Sequence, residues 1–173
     1  DFSCGSAAVA TLLTFHYGQP VSEQEVFAQM YQAGDRGKIN KQGFSLLDMK
    51  HYLNAHGYQA DGFELPVEKL AEQGLPAIVL LSERGYRHFV VVKGVRRGRV
   101  LVGDPAMGTR AMSTERFTHL WASKILFVIH NHRDRAKFNT PVDWRVAPAA
   151  PIELSIERED RLDTLPARRA GSF

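Results

Sequence analysis

Cys4, His88 and Asp104 are the residues whose types and chain order could carry chemistry. A thiolate is a strong nucleophile, an imidazole can take and return its proton, and a carboxylate can orient the imidazole; together they make a thiol-hydrolase set. Cys4 is the one cysteine among 173 residues. It stands where an apolar helix begins. Ser3 can cap that helix, Gly5 to Ala8 keep its first turn slim, and Val9, Leu12, Leu13 and Phe15 supply a buried face before Gly18 and Pro20 end it. Unpaired backbone N–H groups at a helix start favour a negative sulfur. Taken alone, such a cysteine is more often a small buried hydrophobe, so the case for chemistry depends on a base and an acid elsewhere.

His88 opens the apolar run His88-Phe89-Val90-Val91-Val92, and Asp104 follows Val100-Leu101-Val102-Gly103. With Val90 to Val95 running out, Arg96-Arg97-Gly98 turning and Arg99 to Val102 returning, His88 falls opposite a position within about two residues of Asp104. The two then share one edge of a sheet, where an imidazole–carboxylate hydrogen bond can form. Each also has an ordinary reading: a partly buried strand histidine, and an Asp-Pro strand exit.

The elements that must position these residues change character along the chain. The first half reads helical. Ser22-Glu23-Gln24-Glu25 has capping-box spacing ahead of Val26, Phe27, Met30 and Tyr31, and Ser45 caps a helix carrying Leu46, Leu47, Met49, Tyr52 and Leu53. Gly34 to Gly43 is polar and glycine-rich and reads as a loop. A short strand follows at Tyr58 to Phe63, then a short helix from Pro66 to Gly74. From there β-branched runs predict strands at Ala77 to Leu81, His88 to Val92, Val100 to Val102 and Ile125 to Ile129, with a helix at Ser113 to Trp121. The predicted class is α+β, helices packed on an antiparallel sheet.

Composition narrows the function. An apolar content of 44% suits one domain with a sizeable core and a possible tail. The net charge of +3 is spread through mixed-sign sequence, and Arg96-Arg97-Gly98-Arg99 is a short cluster that fits a solvated hairpin tip better than a nucleic-acid surface. The apolar runs are too short to span a bilayer. A lone cysteine excludes a disulfide scaffold and is compatible with either the cytoplasm or the periplasm. Gly34-Asp35-Arg36-Gly37-Lys38 lacks the spacing of a phosphate-binding loop. His130 and His132 alternate along a strand, but no further ligands accompany them, so no metal and no cofactor is expected. His16, His51, His56 and His119 read as surface or helix-end residues.

Several motifs in register resemble a known family. Asp1-Phe2-Ser3-Cys4-Gly5 before an apolar helix, Gly43-Phe44-Ser45-Leu46-Leu47, Leu75-Pro76-Ala77, His88-Phe89-Val90-Val91-Val92, Gly103-Asp104-Pro105-Ala106-Met107-Gly108 and the Ser113-to-Trp121 segment resemble the bacteriocin-processing, double-glycine peptidases. These are papain-like cysteine peptidases. The resemblance implies a papain-like fold over residues 1–130, with Cys4 as nucleophile, His88 as general base and acid, and Asp104 as the orienting carboxylate. It further implies cleavage after Gly-Gly in a leader or secretion substrate. The likeness is nearest to stand-alone members of functional-amyloid export systems in Gram-negative bacteria, which implies an export substrate and export components as partners and a periplasmic location, with the cytoplasm as the alternative. The family's oxyanion-hole glutamine precedes its cysteine by a few residues, ahead of Asp1 here. A start at Asp1 rather than Met reads as a processed or trimmed form.

Gly43, Phe44 and Ser45 are the candidate substrate-binding residues, since a loop over Gly34 to Ser45 can wall a channel too narrow for side chains; an ordinary surface loop reads the same way. Residues 131–173 carry Pro141, Pro148, Pro151 and Pro166 and read as a C-terminal extension, partly ordered through Trp144 or flexible. A module that binds an export substrate without cutting it is the rival function. It has no chemical need for all three of Cys4, His88 and Asp104.

Overall fold

The structure, a computed structural model, describes residues 4–146. Ser3, the expected cap of the first helix, lies outside the described residues, as do Pro148, Pro151 and Pro166.

Four helices come first. α1 (Cys4–His16) is built from alanine, leucine and small residues, and nine of its thirteen residues are buried; Phe15, expected on the buried face, is instead exposed. Gly18, at φ 64°, ends it, and the Gln19 N–H closes back on the Leu13 carbonyl at 2.9 Å. α2 (Glu23–Ala33) starts where Ser22 Oγ accepts the Glu25 N–H, and α4 (Leu46–Ala55) starts in a full capping box between Ser45 and Asp48. Between them the expected loop contains a helix, α3 (Arg36–Gln42), capped by Asp35. Only Ile39 of α3 is buried, so no apolar period marked it in the sequence.

The remaining elements are β1 (Ala60–Phe63), α5 (Lys69–Gln73), β2 (Ala77–Glu83), β3 (Tyr86–Arg96), β4 (Arg99–Asp104), β5 (Gly108–Ser113), α6 (Thr114–Leu120), β6 (Leu126–Ile129) and α7 (Pro141–Val146). The strands form one antiparallel sheet in the order β1-β6-β2-β3-β4-β5. β5 was not predicted; Gly-Thr-Arg-Ala-Met-Ser carries little β-branched character and is held at the sheet edge by its six-residue pairing with β4.

Both sheet faces are covered, which is why β2 and β3 read as continuous apolar runs. On one face Ile78, Val91, Phe127 and Ile129 join Val9, Leu12, Leu13, Met30, Met49 and Leu53 of the helices. On the other, Val79, Val90, Val92 and Val102 pack on Phe117, Leu120 and Trp121. α1 is therefore clamped between helices and sheet, and its first residue is brought to the end of β3 where His88 lies.

The β3–β4 hairpin is tighter than predicted. Arg96 pairs with Arg99 across a two-residue turn, with Arg97 at φ 41° and Gly98 at φ 76°. An irregularity between Val92 and Gly94 then shifts the register, giving Val92–Val102 and Val91–Gly103. The far side of that bulge holds the segment after β6. The Asn139 N–H donates to the Lys93 carbonyl at 3.0 Å, and its side-chain oxygen accepts the Val95 N–H at 2.8 Å, so residues 139–145 lie against the hairpin.

His16 ends α1 but is not at the surface: it is fully buried, with Nδ1 2.6 Å from the Lys137 carbonyl. The carbonyl can only accept, so Nδ1 carries the proton and the buried Nε2 has no partner among the described residues. Burial chiefly, and the nearby Lys93 charge, push this imidazole below its ordinary value although the carbonyl bond opposes them. His51, His56 and His119 are exposed, as read.

Candidate active site

The Val91–Gly103 pair ends the β3–β4 ladder, and His88 and Asp104 lie just beyond it. His88 Nε2 is 2.8 Å from Asp104 Oδ2, and both side chains are buried, 7% and 1% exposed. The other carboxylate oxygen, Oδ1, accepts the backbone N–H of Ala106 at 2.8 Å and of Met107 at 3.2 Å. Asp104 thus builds the turn that follows it and is immobilised by that turn. Burial pushes its carboxyl up, but the bonds from His88 and from Ala106 and Met107 together outweigh it, and the group lies below the usual 3.8.

A carboxylate oxygen only accepts, so Nε2 of neutral His88 is the protonated nitrogen and Nδ1 carries the lone pair. Nδ1 is buried without a hydrogen-bond partner among the described residues. An unsatisfied basic nitrogen is the state a general base must be in before it takes a proton. Cys4, half-buried at the start of α1, lines the same cleft as His88. Its sulfur is 3.8 Å from the Tyr86 hydroxyl, and the Tyr86 ring stacks on His88 with centroids 5.2 Å apart and planes 25° apart.

The cleft has a volume of about 370 Å³ and is lined by Gln42 at the end of α3, by Gly43, Phe44 and Ser45 of the α3–α4 connection and by Leu80, Arg87 and Phe89 of β2 and β3. The loop residues singled out from the sequence therefore lie beside Cys4. Phe44 is nearly buried and packs edge-on against Phe27, so it is a rigid wall. Ser45 Oγ is occupied in capping α4, accepting the Asp48 N–H and donating to its carboxylate. Gly5 permits the close approach of helix and loop: a Cβ there would lie 2.8 Å from Phe44 Cβ. Sequence reasoning missed Tyr86, Gln42 and Arg87. Tyr86 was within reach, because a residue two before His88 on a strand shares its face.

His130 and His132 lie beyond β6, which ends at Ile129, not along a strand as expected, and both are hydrogen-bonded. His130 Nε2 bonds Asp61 at 2.6 Å, and His132 Nε2 lies 3.1 Å from the Gly57 carbonyl. Among the described residues no three His, Cys, Asp or Glu side chains are grouped to hold a metal ion.

The sequence pattern of the peptidase C39 family matches residues 2–133, about three-quarters of the chain. The chain belongs to that family. The match spans Cys4, His88 and Asp104 and ends before the Asn139–Trp144 segment. The chain is 42% identical over 135 residues to the probable functional amyloid protease FapD of Pseudomonas aeruginosa, covering 78% of this chain and 60% of that protein. It is 38% identical over 136 residues to its namesake in Pseudomonas fluorescens, covering 79% and 60%. This chain thus matches about 60% of the length of these curated relatives. Among solved structures, the peptidase domain of Streptococcus ComA, a bifunctional ABC transporter, superposes with a TM-score of 0.59 at 24% identity, over 74% of this chain and 91% of that one. A double-glycine-motif protease of an AMS/PCAT transporter, solved with a leader peptide, gives 0.57 at 24% identity over 75% and 86%. These two likenesses place the helices and antiparallel sheet in the papain-like fold of C39 peptidase domains.

Proposed function

We propose that this chain is a cysteine endopeptidase that cuts a secretion substrate or leader after a Gly-Gly pair, with Cys4, His88 and Asp104 as its triad. The observation that carries the proposal is the state of His88: Nε2 held by a buried carboxylate, Nδ1 unpartnered and beside the cleft that contains Cys4. Nδ1 takes the Cys4 proton, and the thiolate attacks the substrate carbonyl carbon to form an S–C bond. The oxyanion that develops lies at the start of α1, where backbone N–H groups lack helical partners. Protonated His88 returns its proton to the amine nitrogen as the C–N bond breaks, leaving a thioester on Cys4. His88 then takes a proton from water, the hydroxide adds to the thioester carbonyl, and the C–S bond breaks to free the acid and the Cys4 thiolate, which the His88 imidazolium reprotonates.

Specificity for glycine is supported by the wall beside the nucleophile. Phe44 is fixed by packing, and Gly43 and Gly5 add no side chain of their own, so the room beside Cys4 suits a substrate backbone without Cβ atoms. The relatives named as probable functional amyloid proteases support a functional-amyloid protein as the substrate; a periplasmic site of action, with the cytoplasm as the alternative, is part of the proposal. The test is product mapping by mass spectrometry on synthetic peptides carrying Gly-Gly, Gly-Val or Val-Gly at one position, with Cys4→Ala as control. Cleavage after Gly-Gly alone, lost in the control, is expected; cleavage that survives Cys4→Ala would refute the assignment.

A further inference from the structure

We propose that Tyr86 is a fourth working member of this site: its hydroxyl donates a hydrogen bond to the Cys4 thiolate while its ring holds the face of His88. The proposal rests on the peptidase reading above and extends it to a residue outside the triad.

Tyr86 is a large aromatic residue left 47% exposed at the first position of β3. Its backbone is fixed by a two-residue hairpin turn, Arg84 at φ 51° and Gly85 at φ 77°, which pairs Tyr86 with Glu83. Glu83 is itself tied to Arg110 and lies near Arg116. From this base the ring covers His88, and the hydroxyl reaches the sulfur at 3.8 Å.

The two contacts act on different steps. Asp104 fixes His88 in its own plane through Nε2, and the stacked ring restrains tilt out of that plane, so Nδ1 keeps one direction. The hydroxyl acts on the nucleophile. A thiol can donate or accept in this contact, but a thiolate only accepts, so once Cys4 ionises the phenol must be the donor. Hydrogen bonds to a charged partner are about twice as strong as neutral ones, so the contact favours the ionised sulfur. The bond to Cys4, and after it the charge of the sulfur, push the Tyr86 phenol up, which keeps its proton in place while the thiolate forms.

The test is the pH dependence of iodoacetamide alkylation of Cys4 in the unmodified chain, in Tyr86→Phe and in His88→Ala, with the thermal midpoint of each. Tyr86→Phe retains the ring and removes only the donor. The expected result is a titration midpoint raised by about half to one pH unit with the high-pH plateau and thermal midpoint unchanged, equivalent to about three- to tenfold slower alkylation below the midpoint. A Tyr86→Phe profile superimposed on that of the unmodified chain overturns the proposal. So does a lower plateau with a lower thermal midpoint and no displacement, which marks a structural residue. A displaced midpoint in His88→Ala but not in Tyr86→Phe removes Tyr86 alone. No displacement in either variant removes the nucleophile–base pair as well.

Discussion

Asp104→Asn separates the charge of the orienting group from its shape. Oδ1 accepts two backbone N–H groups, from Ala106 and Met107, so the asparagine carbonyl must stay on that side or set its amide against two donors. The amide NH2 then faces His88 Nε2, where a carboxylate oxygen now lies at 2.8 Å. The imidazole is driven to the tautomer with its proton on Nδ1, the nitrogen that must receive the proton of Cys4. Losing a buried charged partner for the imidazolium costs about 1.5–3 kcal/mol, or one to two powers of ten in rate. The wrong tautomer adds to this, and in serine triads the combined loss reaches ~10⁴ in kcat. The expected fall in kcat is therefore about 10²–10⁴, with little change in KM because Asp104 lies behind His88 and does not line the cleft. Steady-state cleavage of a Gly-Gly peptide, with the melting curve as a check on folding, measures it. A folded Asp104→Asn variant within about threefold of the unmodified kcat would refute the role given to this carboxylate.

Three further outcomes follow from the packing. Gly5→Ala places a Cβ 2.8 Å from Phe44 Cβ and 3.0 Å from Met49 Cε, so loop and nucleophile helix must separate; a loss of about 1–3 kcal/mol in urea unfolding and a raised KM for Gly-Gly peptide are expected. Gly94→Ala directs a Cβ to 2.5 Å from Asn139 Oδ1 and 2.8 Å from Trp144 Nε1, breaking the clasp on the hairpin. Gly94 lies about 20 Å along β3 from His88, so stability should drop while kcat in the folded protein is kept. His16 is held below its unfolded value of 6.5, so the unfolded chain binds a proton that the folded one does not. Its contribution is complete above pH 6.5 and declines as pH falls towards the folded value, at up to about 1.4 kcal/mol per pH unit. Urea unfolding of His16→Gln between pH 5 and 7.5 should show a shallower acid slope than the unmodified chain.

What was legible in the sequence was local chemistry and strong periodicity. Ser22 and Ser45 mark helix starts by their own hydroxyls, and the valine-rich runs need cover on both faces. The meeting of His88 and Asp104 at one sheet edge followed from strand counting, because a hairpin turn fixes which residues meet. The count tolerated an unforeseen bulge, since the bulge moved the register by one residue in a window of two. What stayed hidden depends on tertiary partners. α3 forms on Ile39 and an Asp35 cap in a polar stretch, and β5 is recruited by β4. The burial of His16 is set by Lys137, 121 residues away in sequence. Tyr86 is unremarkable as a residue type and acquires a role only from the turn before it and the helix end beside it.

The most direct measurement is acid-quenched mass spectrometry after brief exposure of the chain to a short peptide p-nitrophenyl ester ending in Gly-Gly, in the unmodified protein and in His88→Ala. The expected result is an acyl adduct on the proteolytic fragment that contains Cys4, formed rapidly in the unmodified chain and far more slowly in the variant. An adduct elsewhere, or one that forms on Cys4 at the same rate without His88, would contradict the Cys4–His88 nucleophile.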